Sequence, residues 1–275
     1  LGQEVSNYKT LAHDEIFLGM GEKGGGLNRR GSSYDNWNSD AFGFDNWTDP
    51  LYMSTPFYIG VREGRPYGIF LDNTFKSHFN FGTSNNNRFS YFSAEAGDLN
   101  YYFIQGETVS EVIQEYAKLT GTCELPPKWS LGFQQCRYSY YPDHEVYNVA
   151  DTFRKKKIPA DVIYLDIHYM KDYMAFTFDE ERFPDPKALI EKLESQGFKV
   201  VVILDPGIAT KTGYGTYDRG IEEDVFVKYP DGTRYEAGVW PGNSHFTDFT
   251  SEKGREWWAK ELKFYTDLGL EGFWN

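Results

Sequence analysis

Along the first hundred residues, apolar positions come in short runs that are broken every few residues by turn formers. Glu15–Met20, Pro56–Val61, Tyr67–Leu71, Phe89–Ser93 and Leu99–Ile104 are such runs, rich in aromatic and β-branched residues. Clusters such as Gly24-Gly25-Gly26 and Asn85-Asn86-Asn87 separate them. The pattern predicts an antiparallel β-sandwich, or part of one, over residues 1–105, with β structure from Leu1 onward.

The period then changes. Val109, Val112, Ile113 and Tyr116 recur at helical spacing, with Thr108 as an N-cap and Gly121 as the stop. Residues 106–125 therefore read as a linking helix, and Pro126-Pro127 marks a boundary that no helix crosses. From residue 126 to 275 strands and helices alternate. Leu131–Cys136, Asp161–Ile167, Lys199–Leu204 and Gly272–Trp274 read as buried strands. Between them Val146, Val149, Ala150 and Phe153 line one helix face, Lys187–Gln196 forms a second helix, and Glu252–Leu268 a long third one. Such alternation means a parallel sheet, in either a (β/α)8 barrel or a doubly wound fold. The stretch between Pro206 and Ser251, about residues 207–250, is an insertion expected over the carboxyl end of the sheet.

Composition narrows the function classes. A net charge of −13 excludes the basic footprint that nucleic acid or an anionic membrane surface requires. No run of 18 apolar residues is present to span a bilayer. Aromatic residues make up 18% of the chain, and flat rings suit the C–H faces of a sugar, although β-rich domains favour aromatics for packing alone. Two cysteines cannot build a disulfide framework, and Cys136, in an apolar run, reads as a buried free thiol.

In parallel α/β folds the working groups stand where strands end. Three strands here end in a polar residue: Asp166 after Ile163-Tyr164-Leu165, Asp205 after Val201–Leu204, and Asn275 after Gly272-Phe273-Trp274. Glycoside cleavage needs two carboxyl groups, one to attack or stabilise the anomeric carbon and one to protonate the leaving oxygen. Spacing alone nominates Asp166 and Asp205 as that pair. Other motifs are weaker. Gly19–Gly24 matches the dinucleotide glycine pattern, but the following Gly25, Gly26, Asn28 and Gly31 cannot open the helix whose N-terminus would hold a pyrophosphate. Asp166 and His168, two apart at a strand end, could point the same way as metal ligands, but no second histidine pair supports a metal. Asn46-Trp47-Thr48 is a glycosylation sequon, and Lys155–Lys157 complements a helix C-terminus.

Ordered motifs through nearly the whole chain carry a resemblance. Phe17–Glu22 and Trp37-Asn-Ser-Asp40 are followed by Leu125–Phe133, Gln135-Cys-Arg-Tyr138 and Asp161–Ile167. Phe176–Asp179, Arg182–Asp185, Val202–Ile208, Val239–Gly242, Asp248-Phe249 and Gly272–Asn275 complete the series. Together they resemble glycoside hydrolase family 31, the α-glucosidase and α-xylosidase family. The resemblance implies a β-sandwich domain followed by the first half of a (β/α)8 TIM barrel, and an enzyme without cofactor or metal. It implies hydrolysis of terminal α-linked glucose from oligosaccharides with retention of configuration. Asp166, with Ile167 beside it, matches the aspartate that binds sugar hydroxyls where the bond is cut. Asp40 matches an aspartate reaching that pocket from the sandwich. Tyr138, Ile203, Trp240 and Trp274 match the pocket wall, and Asp205 matches a strand-end group shaping it. This overrules the spacing-based pair. The family nucleophile is the aspartate directly after the last strand's Trp-Asn, so the resemblance places it just beyond Asn275 and the acid/base aspartate further on. The chain by itself is then an internal fragment expected to be inactive. His168 stands where the family often has an acidic residue, which bears on specificity. An α-xylosidase, or a non-catalytic sugar-binding protein on the same scaffold, are the alternatives.

Overall fold

The computed structural model describes residues 3–275, so Leu1, where β structure was expected to open, lies outside the described residues. The chain divides into two compact units, Leu1–Glu124 and Leu125–Asn275.

The first unit contains β1 (Val5–Thr10), β2 (Ile16–Gly19), β3 (Ser33–Asn36), β4 (Phe57–Arg62), β5 (Arg65–Leu71), β6 (Ser77–Asn80), β7 (Phe89–Ala94), β8 (Tyr101–Gln105) and α1 (Val109–Thr120). Two antiparallel four-stranded sheets result, in the orders β1-β7-β6-β3 and β2-β4-β5-β8. Their facing sides enclose one core, in which Phe17, Tyr58, Ile69 and Leu71 meet Phe79, Phe81, Phe92 and Ala94. Phe17 and Phe81 stack with centroids 4.6 Å apart. Strands β1, β3 and β6 were not legible as apolar runs, because each carries mostly polar residues and is recruited by pairing with its neighbours. The second sheet is packed on its far face as well, by α1. Phe57, Ile59 and Ile104, on its far side, pack with Val112 of α1, and the Phe57 and Tyr116 rings stack at 3.9 Å. The helix expected to link two domains therefore belongs to the packing of the first unit. Its ends are as expected: Thr108 accepts from the Glu111 N–H, and Gly121 adopts φ +89, a conformation that favours glycine. In the glycine-rich loop the carbonyls of Gly24 and Gly26 receive the Arg29 guanidinium, at 2.7 and 3.0 Å. The loop thus offers acceptors to a cation, the opposite of a phosphate cradle.

The second unit contains β9 (Gln134–Gln135), α2 (Asp143–Lys155), β10 (Val162–Leu165), α3 (Pro186–Ser195), β11 (Lys199–Ile203), β12 (Gly207–Ala209), α4 (Gly215–Glu222), β13 (Glu236–Val239), β14 (Gly242–Phe246), α5 (Glu252–Thr266) and β15 (Gly272–Trp274). Its main sheet is parallel in the order β9-β10-β11-β15, each strand beside its predecessor with a helix between. A doubly wound sheet reverses its order at a switch point, whereas a barrel proceeds in sequence, and this sheet proceeds in sequence. One face carries Ile163, Leu165, Val200, Val202 and Leu204, packed under Val146 and Ala150 of α2, Leu189, Ile190 and Leu193 of α3, and Trp257 and Tyr265 of α5. The insertion after β11 is itself ordered, as the antiparallel sheet β12-β14-β13 with α4.

One strand is shorter than the sequence suggested. Of Leu131–Cys136 only Gln134–Gln135 pairs, and Lys128–Leu131 is a 3-10 turn. Strand β9 is the sheet edge, bonded to β10 through two register pairs, so little holds its flanks. Cys136 is consequently an exposed thiol, not a buried one.

Candidate active site

Side chains alternate across the parallel strands, so the face opposite the helices carries Tyr164, Val201, Ile203, Gly272 and Trp274 in register. Continued one step past the ends of β10 and β11, the same alternation delivers Asp166 and Asp205. Asp166 is 7% exposed. Its Oδ1 accepts from the Ile167 N–H at 2.7 Å and caps a 3-10 turn, Ile167–Tyr169. Among the described residues no protein donor reaches Oδ2.

The neighbours of Asp166 register its charge. Burial, and then the Asp166 carboxylate, raise Asp205 above the ordinary carboxylate range. Partial burial, and then Asp166, push the Cys136 thiol up, although that residue as a whole is exposed. Two carboxyl groups thus stand near one another at the strand ends, and Asp205 is the one held more easily protonated than an ordinary carboxylate.

Exposed aromatic rings stand near the strand ends. Tyr138 and Trp240 are 61% and 56% exposed, with centroids 6.3 Å apart. Trp240 also lines, with Asp205, Pro206, Gly207, Gly238, Val239 and Phe246, a hollow of about 520 Å³. Trp274, 40% exposed, meets Tyr164 edge-on at 6.2 Å. The Tyr164 hydroxyl donates to Gln134 Oε1 at 2.5 Å. Charged oxygens beside exposed rings can accept from sugar hydroxyls while stacking on sugar C–H faces.

Not every expected residue takes part through its side chain. Ile167 is buried in the helix-side core and serves Asp166 through its N–H. Ile203 is buried too, and its carbonyl accepts from the Tyr169 hydroxyl at 2.9 Å. That hydroxyl also bonds Tyr265 at 2.8 Å, and Tyr265 accepts from the Phe176 N–H at 2.8 Å. Asp40 lies in the first unit, on an exposed loop fastened by the Ser39 N–H to the Leu51 carbonyl at 2.9 Å. Desolvation, and then the Asp40 carboxylate, push the Tyr52 hydroxyl upward. Asp166 and His168 do not alternate on a strand, because the chain turns into the 3-10 helix between them. Among the described residues no three His, Cys, Asp or Glu side chains gather as a metal site, and no helix is long and apolar enough to cross a membrane.

Sequence reasoning missed the surroundings of His168. Tyr141 stacks on its ring at 4.6 Å and 2°, Tyr138 and Tyr173 meet it edge-on at 5.0 and 5.5 Å, and Ser139 Oγ is hydrogen-bonded to Nδ1 at 2.8 Å. The signal was the run Tyr138-Ser139-Tyr140-Tyr141 directly after β9, too aromatic for an ordinary turn.

Comparisons with known proteins agree with this architecture. The model of the glycosyl hydrolases family 31 TIM-barrel domain matches residues 123–275, and that of the glycosyl hydrolase 31 N-terminal galactose mutarotase-like domain matches residues 1–80. Alpha-glucosidase 2 of Bacillus thermoamyloliquefaciens is 48% identical over 99% of this chain and 34% of its own length. Alpha-xylosidase 1 of Arabidopsis thaliana is 36% identical over 83% of the chain and 25% of its own length. Among solved structures, a Flavobacterium johnsoniae dextranase mutant complexed with isomaltotriose superposes with a TM-score of 0.92 at 38% identity, covering 98% of this chain and 33% of that one. The chain spans about a third of the length of the curated relatives it matches.

Proposed function

The chain belongs to glycoside hydrolase family 31, and from that membership we propose that the complete protein is a retaining α-glucosidase acting on terminal α-linked glucose of oligosaccharides. One observation carries the reading: at the end of β10, Asp166 is held by its neighbour's N–H with one oxygen open, beside Asp205 and on the sheet face that carries Trp274. A carboxylate so fixed binds sugar hydroxyls through charge-assisted hydrogen bonds that strengthen as positive charge develops on the ring. The rings of Tyr138, Trp240 and Trp274 give the apolar surface on which a pyranose lies. Asp205 shapes the pocket. In the double displacement one carboxylate attacks the anomeric carbon, and a carboxylic acid protonates the departing oxygen and later activates water.

Kinetics of the complete enzyme on an aryl α-glucoside test the reading. Asp166→Asn removes the charge and should lower kcat/KM by an amount equivalent to about 2–4 kcal/mol. An unchanged kcat/KM removes Asp166 from the site. The similarity to a plant enzyme named alpha-xylosidase supports a second reading, in which the pocket accepts a pyranose without the CH2OH group. Faster turnover of an aryl α-xyloside than of the matching α-glucoside would favour it.

A further inference from the structure

The ring cluster around His168 does more than fill space. Three tyrosines from two loops converge on one imidazole, Tyr138 and Tyr141 from the loop after β9 and Tyr173 from the loop after β10. Of the three, Tyr138 is the most exposed, and it faces the Trp240 ring. An exposed ring on a loop at a sheet edge has few partners to hold it, and here its aromatic partners are His168 on one side and Trp240 on the other. Tyr141, face to face with the imidazole, is in turn covered by the Arg182 guanidinium at 4.9 Å. Tyr173 lies in a strained stretch, with φ +51 at Asp172 and φ +60 at Tyr173. That stretch is tied down by the Lys171 N–H to Thr177 Oγ1 at 3.0 Å and by Thr177 Oγ1 to the Met174 carbonyl at 2.6 Å.

We infer that His168 is a specificity-determining positioning residue: by clamping Tyr138 edge-on, it holds Tyr138 against Trp240 and so fixes the aromatic wall on which the sugar lies. The inference deepens the proposed function and rests on it. The groups facing the imidazole are Ser139, Tyr138, Tyr141 and Tyr173, with the charges of Arg182 and Asp166 nearby. Burial, and then Arg182, hold His168 below the ordinary imidazole range, partly opposed by Asp166. A neutral ring suits the clamp, since it keeps one nitrogen for Ser139 and stacks on Tyr141 without desolvating a charge. An acidic side chain at this position would offer neither ring nor stack, so the clamp belongs to the histidine.

A wall that touches the sugar in ground and transition states alike acts on KM more than on kcat. In the complete enzyme, with an α-linked glucose disaccharide as substrate, His168→Ala should raise KM about 5- to 20-fold while kcat stays within about 3-fold. His168→Phe, which keeps the ring, should remain within about 3-fold of the parent in KM. His168→Asn, which keeps a hydrogen bond to Ser139 but no ring, should behave like the alanine variant, and it serves if that variant is unstable. In a Tyr138→Ala background, His168→Ala should change KM by less than about 2-fold, because the wall it positions is already gone. Additive effects of the two alanine substitutions, a phenylalanine variant as poor as the alanine one, or a loss confined to kcat would each overturn the inference. Asp166→Asn run alongside separates the cases: if that variant stays fully active the site reading has failed, and if it is crippled while the His168 series is additive only the clamp has failed.

Discussion

Both units bury aromatic rings, and they differ in where their exposed rings stand. In the sandwich, Phe17, Tyr58, Phe79, Phe81 and Phe92 are buried between two sheets and meet mostly each other. In the parallel unit, Phe178, Phe183, Phe198, Trp257 and Tyr265 are buried among aliphatic side chains, whereas the rings near the strand ends, Tyr138, Trp240 and Trp274, stay open to solvent. An antiparallel sandwich closes its core with the faces of its own strands, and here it leaves Phe42 and Trp47 exposed on a connecting loop. A parallel sheet covers one face with helices and gathers loops at its carboxyl ends, which frees those ends for a ligand. The 18% aromatic content therefore includes a packed population in both units and an exposed one that, in the second unit, stands near the strand ends.

Substitutions in the complete protein can break that division. The largest effect belongs to the packed population: Phe79→Ala, at a fully buried position, should lower unfolding stability by about 3–5 kcal/mol in a denaturant titration. A loss under 1 kcal/mol would mean that the sandwich core is not closed as described. Trp240→Ala should do the reverse, leaving stability within about 0.5 kcal/mol while raising KM for an aryl α-glucoside about tenfold. Equal damage to stability would place Trp240 in the first population. The smallest effect concerns Asp205. Its carboxyl is raised in the folded state by burial and by Asp166, so the stability linked to it is fully present below its unfolded value of 3.8 and is lost as pH rises through the folded value. Asp205→Asn should abolish that decline, giving a Tm that changes less than the parent's as pH climbs from about 4 toward neutrality. A parallel pair of Tm-against-pH curves would remove the linkage.

How much of this was legible depended on what each residue needed from afar. The strand β10, the helix caps at Thr108 and Gly121 and the strand-end position of Asp166 depend on local pattern, and all three read directly from the chain. Strands β1, β3 and β6 depend on partners dozens of residues away, and polar runs such as Ser33–Asn36 carry no signal of their own. The exposure of Cys136 follows from the edge position of β9, which an apolar run cannot reveal. At the site, single residues were legible but their company was not. His168 was visible as a departure from the family pattern, whereas Tyr141 and Tyr173, which arrive from two loops, became its partners only in three dimensions.

The Tyr265 hydroxyl has a consequence for the order in which the site can form. It holds the Phe176 N–H and the Tyr169 hydroxyl, and Tyr169 in turn holds the Ile203 carbonyl, so the loop after β10 is fastened by a helix about ninety residues later in the chain. During synthesis at the ribosome, Tyr138, Asp166 and Tyr173 emerge long before that fastening exists. The loop that carries Asp166 and Tyr173 is therefore written early and set late, waiting on a helix near the far end of the chain.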